Sequence, residues 1–148
     1  MSTKKIVAII VCLLTIHLSA VASDDKPITF NQLPAESQQL IKKHFPEQSV
    51  ALVKMESDFF DKSYEVIFTN GNKIEFDRKG LWTEIDCKYS QFPEDLIPMQ
   101  IRVYVSKNFP NIKVYKIEKE DRNCHEVGLA NGVDLKFDSK YNLIDMDH

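Results

Sequence analysis

Between residues 64 and 69 the chain alternates: Tyr64, Val66 and Phe68 are apolar or aromatic, and Glu65 stands between them. The same period of two returns over 72–77 and 81–86, the pattern of strands with one buried and one solvated face. A further strand is expected over 49–56. Ahead of it the spacing changes, and Leu33, Leu40, Ile41 and Phe45 recur at helical intervals. Pro34 suits the first helical position, where its missing N–H would be unpaired anyway, and Pro46 ends the helix. Asn70-Gly71 predicts a two-residue hairpin with both positions at positive φ, and Asp77-Arg78-Lys79-Gly80 marks the next turn.

The order then repeats. A helix is expected near 98–108 and strands near 113–120, 124–130, 133–138 and 142–147, after a linker over 88–96 in which Pro93 starts an extra helical turn. Leu33-Pro34 and Phe45-Pro46 align with Ile97-Pro98 and Phe109-Pro110 at a constant offset of 64. After a hairpin three residues longer in the first copy the offset becomes 61, and Glu65, Val66, Asn70, Gly71, Phe76 and Asp77 coincide with Glu126, Val127, Asn131, Gly132, Phe137 and Asp138. Two amphipathic stretches would not place one turn dipeptide and one aromatic-acid pair in register by chance, so the pattern reads as a duplication. The expected fold is α+β: two tandem α-β-β-β-β repeats, over 28–88 and 89–148, forming one extended antiparallel sheet with the helices on one face. A unit of about 60 residues with one helix buries too little by itself, which favours a shared core in a single domain.

Alternation divides the sheet positions. Tyr64, Val66, Phe68, Ile74, Phe76, Thr83 and Ile85, with His125, Val127, Leu129, Leu135, Phe137, Ile144 and Met146, should face the helices. Glu65, Lys73, Glu75, Glu84, Glu126, Asp134 and Lys136 should face outward. Ile67 and Trp82 alternate onto that outer face, against the charge pattern. In the first strand of each copy the facing stays open, since Val50 and Leu52 compete with Ala51, Val53 and Met55; Tyr115 and Ile117 match Ala51 and Val53. The longer hairpin carries Asp58-Phe59-Phe60-Asp61, two aromatics at or near its tip. Phe59, Phe60, Ile67, Trp82 and Tyr115 are therefore the candidate partner-binding residues, with Trp82 as the first choice for a hot spot. For any one of them folding back on its own sheet is the bland alternative.

Composition narrows the partner. Lys4 and Lys5 precede an apolar run, and Ala20-Val21-Ala22 supplies the small residues that a signal peptidase reads, so residues 1–22 form a secretory signal and the exported chain starts at Ser23. The run is too short for a comfortable span of about 20 residues, so no stable membrane insertion is expected after cleavage. Of 19 basic and 22 acidic residues in the whole chain, 17 and 22 remain after residue 22, a formal charge of −5. That balance excludes a basic field for nucleic acid. Cys87 and Cys124 remain in an oxidising compartment, as one disulfide or as two buried thiols.

Chemical motifs are sparse. Cys124 beside His125 suggests a nucleophile and base, but adjacent strand residues point to opposite faces. Asp145, Asp147 and His148 form a solvated end more readily than a metal site. Asp77 and Asp138 each open a turn whose backbone N–H groups an aspartate can satisfy. The sequence contains no phosphate loop, Gly-x-Ser-x-Gly elbow or His-Glu-x-x-His helix. No catalytic residue, metal ligand or cofactor site is assigned.

Leu33-Pro34, Phe45-Pro46, Asn70-Gly71 and Phe76-Asp77-Arg78-Lys79-Gly80-Leu81-Trp82 together resemble the PepSY-like, β-lactamase-inhibitor-like family of periplasmic proteins from Bacteroides-type bacteria. The second copy departs from the pattern, with Tyr141, Asn142 and Leu143 where Gly80, Leu81 and Trp82 stand. The resemblance implies a two-layer, inhibitor-like fold and a periplasmic location, and it supplies no ligand motif. The expected function is a non-catalytic periplasmic binding module that engages an envelope protein or peptide through the open sheet face. The alternative is a small-ligand or metal carrier, with an envelope enzyme third.

Overall fold

The computed structural model describes residues 24–148, so the expected export signal and its cleavage point lie outside the described residues. Nine strands form one antiparallel sheet in which each pairs with its neighbour in sequence: β1 (Lys26–Ile28), β2 (Val50–Ser57), β3 (Lys62–Phe68), β4 (Lys73–Phe76), β5 (Trp82–Asp86), β6 (Val114–Lys119), β7 (His125–Leu129), β8 (Asp134–Phe137) and β9 (Leu143–Asp147). Helix α1 (Ala35–His44) precedes β2, and α2 (Met99–Asn108) precedes β6. The strands predicted from alternation all form, with ends moved by one or two residues. Strand β1 was not anticipated. It pairs with β2 at the sheet margin, the one place where Pro27, which cannot donate to a ladder, is tolerated.

Pro34 and Pro98 stand just outside their helices as N-caps, with ψ of 147° and 137°. Glu36 in the first turn of α1 and Lys42 and Lys43 in its last turn complement the helix dipole. Pro93 caps a 3-10 turn over Glu94–Leu96, as expected. The Asn-Gly turns differ from expectation: Gly71 and Gly132 have φ of 91° and 88°, and the asparagines before them do not share that conformation. Phe68 and Asn72 still pair, Phe68 N–H donating to Asn72 O at 2.9 Å, so the first loop has three residues with glycine in the left-handed last place.

The core follows the register. Ile28, Val53, Val66, Ile74, Ile85, Ile117, Val127, Leu135 and Met146 lie opposite one another in an unbroken row across all nine strands. From Val53 to Leu135 the row is buried, and it packs with Leu33, Ile41 and Phe45 around α1 and Ile97, Ile101 and Val105 around α2 in one cluster. Each buried branched side chain contributes roughly 1.5–3 kcal/mol. Phe45 stacks on Phe68 at 5.4 Å and Tyr104 meets Phe137 edge-on at the same centroid distance. Gly80 lies where α1 crosses the sheet: a Cβ there would stand 2.6 Å from Pro34 Cβ, and the buried Ser37 hydroxyl donates to Gly80 O at 3.1 Å.

Four register shifts break strict alternation, and they correct the face assignment. Glu75 opposes Glu84 and Phe76 opposes Trp82, so Thr83 is the extra residue of a bulge and Trp82 joins Phe76 on the core face. The outward Trp82 expected above is thus overturned, along with the inward Thr83. Likewise Leu143 opposes Phe137, and Ile144, expected inside, is the bulged residue and 54% exposed. The shift between Val50 and Leu52 resolves the open facing of β2: Val50 and Val53 point to the core, and Leu52 pairs with Ile67 on the other face.

Two outcomes check this packing. Trp82→Ala should lower unfolding free energy by about 2–4 kcal/mol in denaturant titration, as for a large aromatic taken from a packed site. Gly80→Ala should cost more than Gly132→Ala. Both impose a left-handed conformation on alanine at about 1–2 kcal/mol, but only at Gly80 does the added carbon meet Pro34 and Ser37, whereas nothing lies within 4 Å at Gly132.

Candidate functional site

The face of the sheet opposite the core carries a line of acids. Glu65, Glu75, Glu84, Glu118 and Glu126 stand directly opposite one another on consecutive strands β3 to β7, with Lys54 at one end and Lys136 at the other. Like charges across a ladder repel, so the adjoining lysines decide whether the face is tolerable. Lys73 Nζ lies 2.9 Å from Glu75, 3.4 Å from Glu84 and 4.0 Å from Glu65. Lys116 Nζ reaches Glu118 at 3.2 Å and Glu84 at 3.3 Å, Lys54 reaches Glu65 at 3.0 Å, and Lys136 pairs with Glu120. Partial burial works against the charge on Lys73, yet the bonds and charges of Glu75 and Glu84 outweigh it and hold the ammonium well above its ordinary pKa. Glu126 is less well served: burial, then Glu120, Glu118 and Asp134, raise its pKa, with only Lys116 opposing.

The five sequence candidates do not form one patch. Phe59 and Phe60 project from the β2–β3 turn, 90% and 92% exposed, with ring centroids 5.8 Å apart. Their turn is well defined: Asp58 Oδ1 accepts from Phe60 N at 2.8 Å and Asp61 N at 2.7 Å, and these bonds lower the Asp58 pKa. Ile67 lies far along β3 beside Leu52, half-buried on the acidic face. Tyr115 is the bulged residue of β6, its ring resting over Gly128, where a Cβ would come within 2.9 Å of it. Three strand spacings of about 4.8 Å separate β3 from β6. Trp82 is on the other face altogether, beside Leu40, Lys43 and Leu81 in a recess of about 220 Å³, with Lys119 Nζ 3.6 Å above its ring.

Other polar groups serve the fold. Asn72 is fully buried, donates to Gln48 Oε1 and Ser90 Oγ at 3.1 and 2.6 Å, and accepts from Tyr89 N at 3.1 Å, tying the linker to the β3–β4 turn. Asp77 Oδ1 accepts from Lys79 and Leu81 N–H groups and Asp138 Oδ1 from Lys140 and Asn142, the turn roles expected for them. Cys87 and Cys124 are free thiols; burial, with Asp86 nearby, pushes the Cys87 thiol up to about 12. His125 lies opposite Phe137 on the core face, and burial and then Lys119 lower its pKa against a backbone hydrogen bond with Asn123. Among the described residues no three His, Cys, Asp or Glu side chains are grouped to hold a metal ion, and nothing in the arrangement points to catalysis.

Two substitutions test the charge pattern. Lys73→Met should cost about 1–2 kcal/mol at neutral pH, with the loss shrinking in molar salt, because three glutamates lose their shared cation. Glu126→Gln should stabilise by less than about 1 kcal/mol at neutral pH. The folded chain holds a proton on Glu126 more tightly than the unfolded chain does, so its carboxylate opposes folding above the ordinary glutamate range. The gain should therefore vanish when thermal unfolding is followed down to pH 4.

The family described as "Putative beta-lactamase-inhibitor-like, PepSY-like" matches residues 62–145. A "putative periplasmic protein" of the DUF2874 family from Bacteroides vulgatus is 55% identical, with a TM-score of 0.82 over 86% of this chain and 99% of its own. A "putative calcium-regulated periplasmic protein" from Bacteroides thetaiotaomicron is 57% identical, with a TM-score of 0.82 over 84% of this chain and 98% of its own. A second Bacteroides vulgatus structure, a "putative periplasmic protein of unknown function", is 36% identical, with a TM-score of 0.78 over 84% of this chain and 99% of its own. No curated protein is detectably similar. Among the described residues no helix is long and apolar enough to cross a membrane. Matched over more than half its length by the family, and similar in structure over most of its length to these periplasmic neighbours, the chain belongs to the PepSY-like, β-lactamase-inhibitor-like family and is periplasmic.

Proposed function

We propose that this chain is a non-catalytic binding module that engages an envelope protein in an inhibitor-like manner, with the β2–β3 turn as its prong. The observation that carries this is the Phe59-Phe60 pair: two adjacent phenyl rings, about nine-tenths exposed, on a turn that Asp58 holds in one shape. Neither ring helps the core, so their exposure has no structural return. Burying each in a partner's apolar recess would contribute roughly 1.5–3 kcal/mol, and a preordered turn lowers the ordering cost. The acid and lysine rows of the sheet would then set orientation and salt sensitivity, with Ile67 and Tyr115 as secondary contacts. Trp82 leaves the site, because it faces the core.

We also read the two halves as copies of one unit whose helices share the core face. The single buried cluster containing residues of both helices supports this, as does Tyr141 adopting φ of 64° where the aligned Gly80 has 85°.

The Phe59→Ala, Phe60→Ala double variant should melt at the temperature of the parent while losing its partner. With both proteins immobilised as bait in envelope extract, a protein retained by the parent alone is purified and titrated against each. At least a thirtyfold loss of affinity is expected, corresponding to about 2 kcal/mol. Equal affinity of parent and double variant for every retained protein rejects the reading.

A further inference from the structure

Beside α2, away from the β2–β3 turn, an open-sided groove of about 720 Å³ runs between the helix, the linker and the segment leading into β6. Phe92, Ile97, Val103, Val105, Phe109 and Ile112 give it apolar walls. Met99 and Val103, on the helix, are 68% and 56% exposed. Into this apolar surface the helix places Arg102, whose Nε is buried without a hydrogen-bond partner. Among the described residues neither Arg102 nor the other groove cation, Lys113, forms an ion pair, although Glu94 lines the same groove.

The corresponding position of α1 shows what a satisfied polar group looks like there. Gln38, 64 residues earlier, donates from Nε2 to Leu33 O at 2.9 Å and to Asn31 O at 3.3 Å. At Arg102 the same place on the helix carries a permanent cation with no such acceptor. A covered, unpaired guanidinium N–H is costly, and a planar carboxylate is the acceptor its fork geometry fits. The volume is in the range of small-molecule sites, and the mix of apolar walls with a few polar groups is their usual composition. A peptide would suit the groove poorly. The walls are side chains of a helix and connecting loops, and the sheet margins β1 and β9 do not line it, so no free strand edge would pair with peptide amides.

We infer that this groove binds a small amphiphilic monocarboxylate, its apolar body along α2 and its carboxylate on Arg102, with Lys113 adding charge complementarity in an otherwise acidic protein. This is independent of the hairpin reading and concerns a different surface.

Calorimetric titration of the exported protein at neutral pH with decanoate, decanol and decylamine separates the terms, since the three share one chain length and differ in head group. Decanoate should bind at least tenfold more tightly than decanol, and decylamine more weakly than either. Arg102→Gln should melt no lower than the parent, lower decanoate affinity about tenfold to the level of decanol, and leave decanol unchanged. Val103→Glu, on the exposed rim, should weaken decanoate more than decanol. The Phe59→Ala, Phe60→Ala variant should bind decanoate like the parent, which keeps this site distinct from the hairpin. The inference is overturned if decanoate does not bind, if decanol binds equally well, if Arg102→Gln leaves decanoate affinity unchanged, or if only peptides ending in a free carboxylate bind.

Discussion

The row of aliphatic side chains from Val53 to Leu135 sets most other features of the molecule, because burying it determines which way every strand must face. A strand has two faces, and a slip of one residue would carry its apolar set into water. With Val66, Ile74, Ile85, Ile117 and Val127 aligned inside, the residues one step along each strand are forced outside, and these are five glutamates in line. The acidic face is thus a consequence of the register of the core. Lys73 and Lys116 stand two residues along their strands from the glutamate row, on the same face, each bridging acids on neighbouring strands, and they make that consequence tolerable.

This coupling also sets a cost on binding a cation at the acidic face. The carboxylates nearest its middle already share two ammonium groups, and recruiting a metal would mean releasing those lysines in a partly dehydrated layer. Some exposed apolar groups, by contrast, stand outside the core cluster. Phe59 and Phe60 touch each other, and Met99 and Val103 lie along a groove. Surface that the fold does not use is where recognition can be added without disturbing the register.

Much of this was legible in the sequence because period two, helical spacing and turn residues are local signals. The hairpin-linked strands, both helices, the 3-10 turn after Pro93, the turn roles of Asp77 and Asp138, and the tip position of Phe59-Phe60 all follow from residues within a few positions of each other. The errors arose where one extra residue enters a ladder. Thr83 and Ile144 look like alternating core positions until pairing with β4 and β8 makes them bulges, and Trp82 changes face as a result. A bulge is a relation between two strands, so neither strand alone announces it. Strand β1 escaped notice for a similar reason: three residues containing a proline carry no period, and only the open margin of β2 gives them a partner. The groove at Arg102 had no local signal at all. Its polar residue looks like an ordinary exposed helix position until the linker and the β6 approach close around it.

The two halves differ in ways that preserve the shared scaffold while changing its surface. Where β3 presents Ile67, the aligned place on β7 is Gly128, and where β2 has the small bulged Ala51, β6 has Tyr115 lying over that glycine. Bulk removed from one strand reappears on its neighbour, so the outer layer stays filled although neither of these two aligned pairs is alike. On the duplication reading, such exchanges are what packing demands of copies that drift apart. The differences without compensation are then the informative ones. Three extra residues in one half lift Phe59 and Phe60 into solvent, and one arginine in the other half replaces a glutamine that had found its carbonyl partners. Neither change is balanced by a neighbour, and each places an unsatisfied group, one apolar and one charged, on a surface the core does not require. On the two proposals above an external partner would satisfy each of them, and because the two groups belong to separate surfaces those partners would be different.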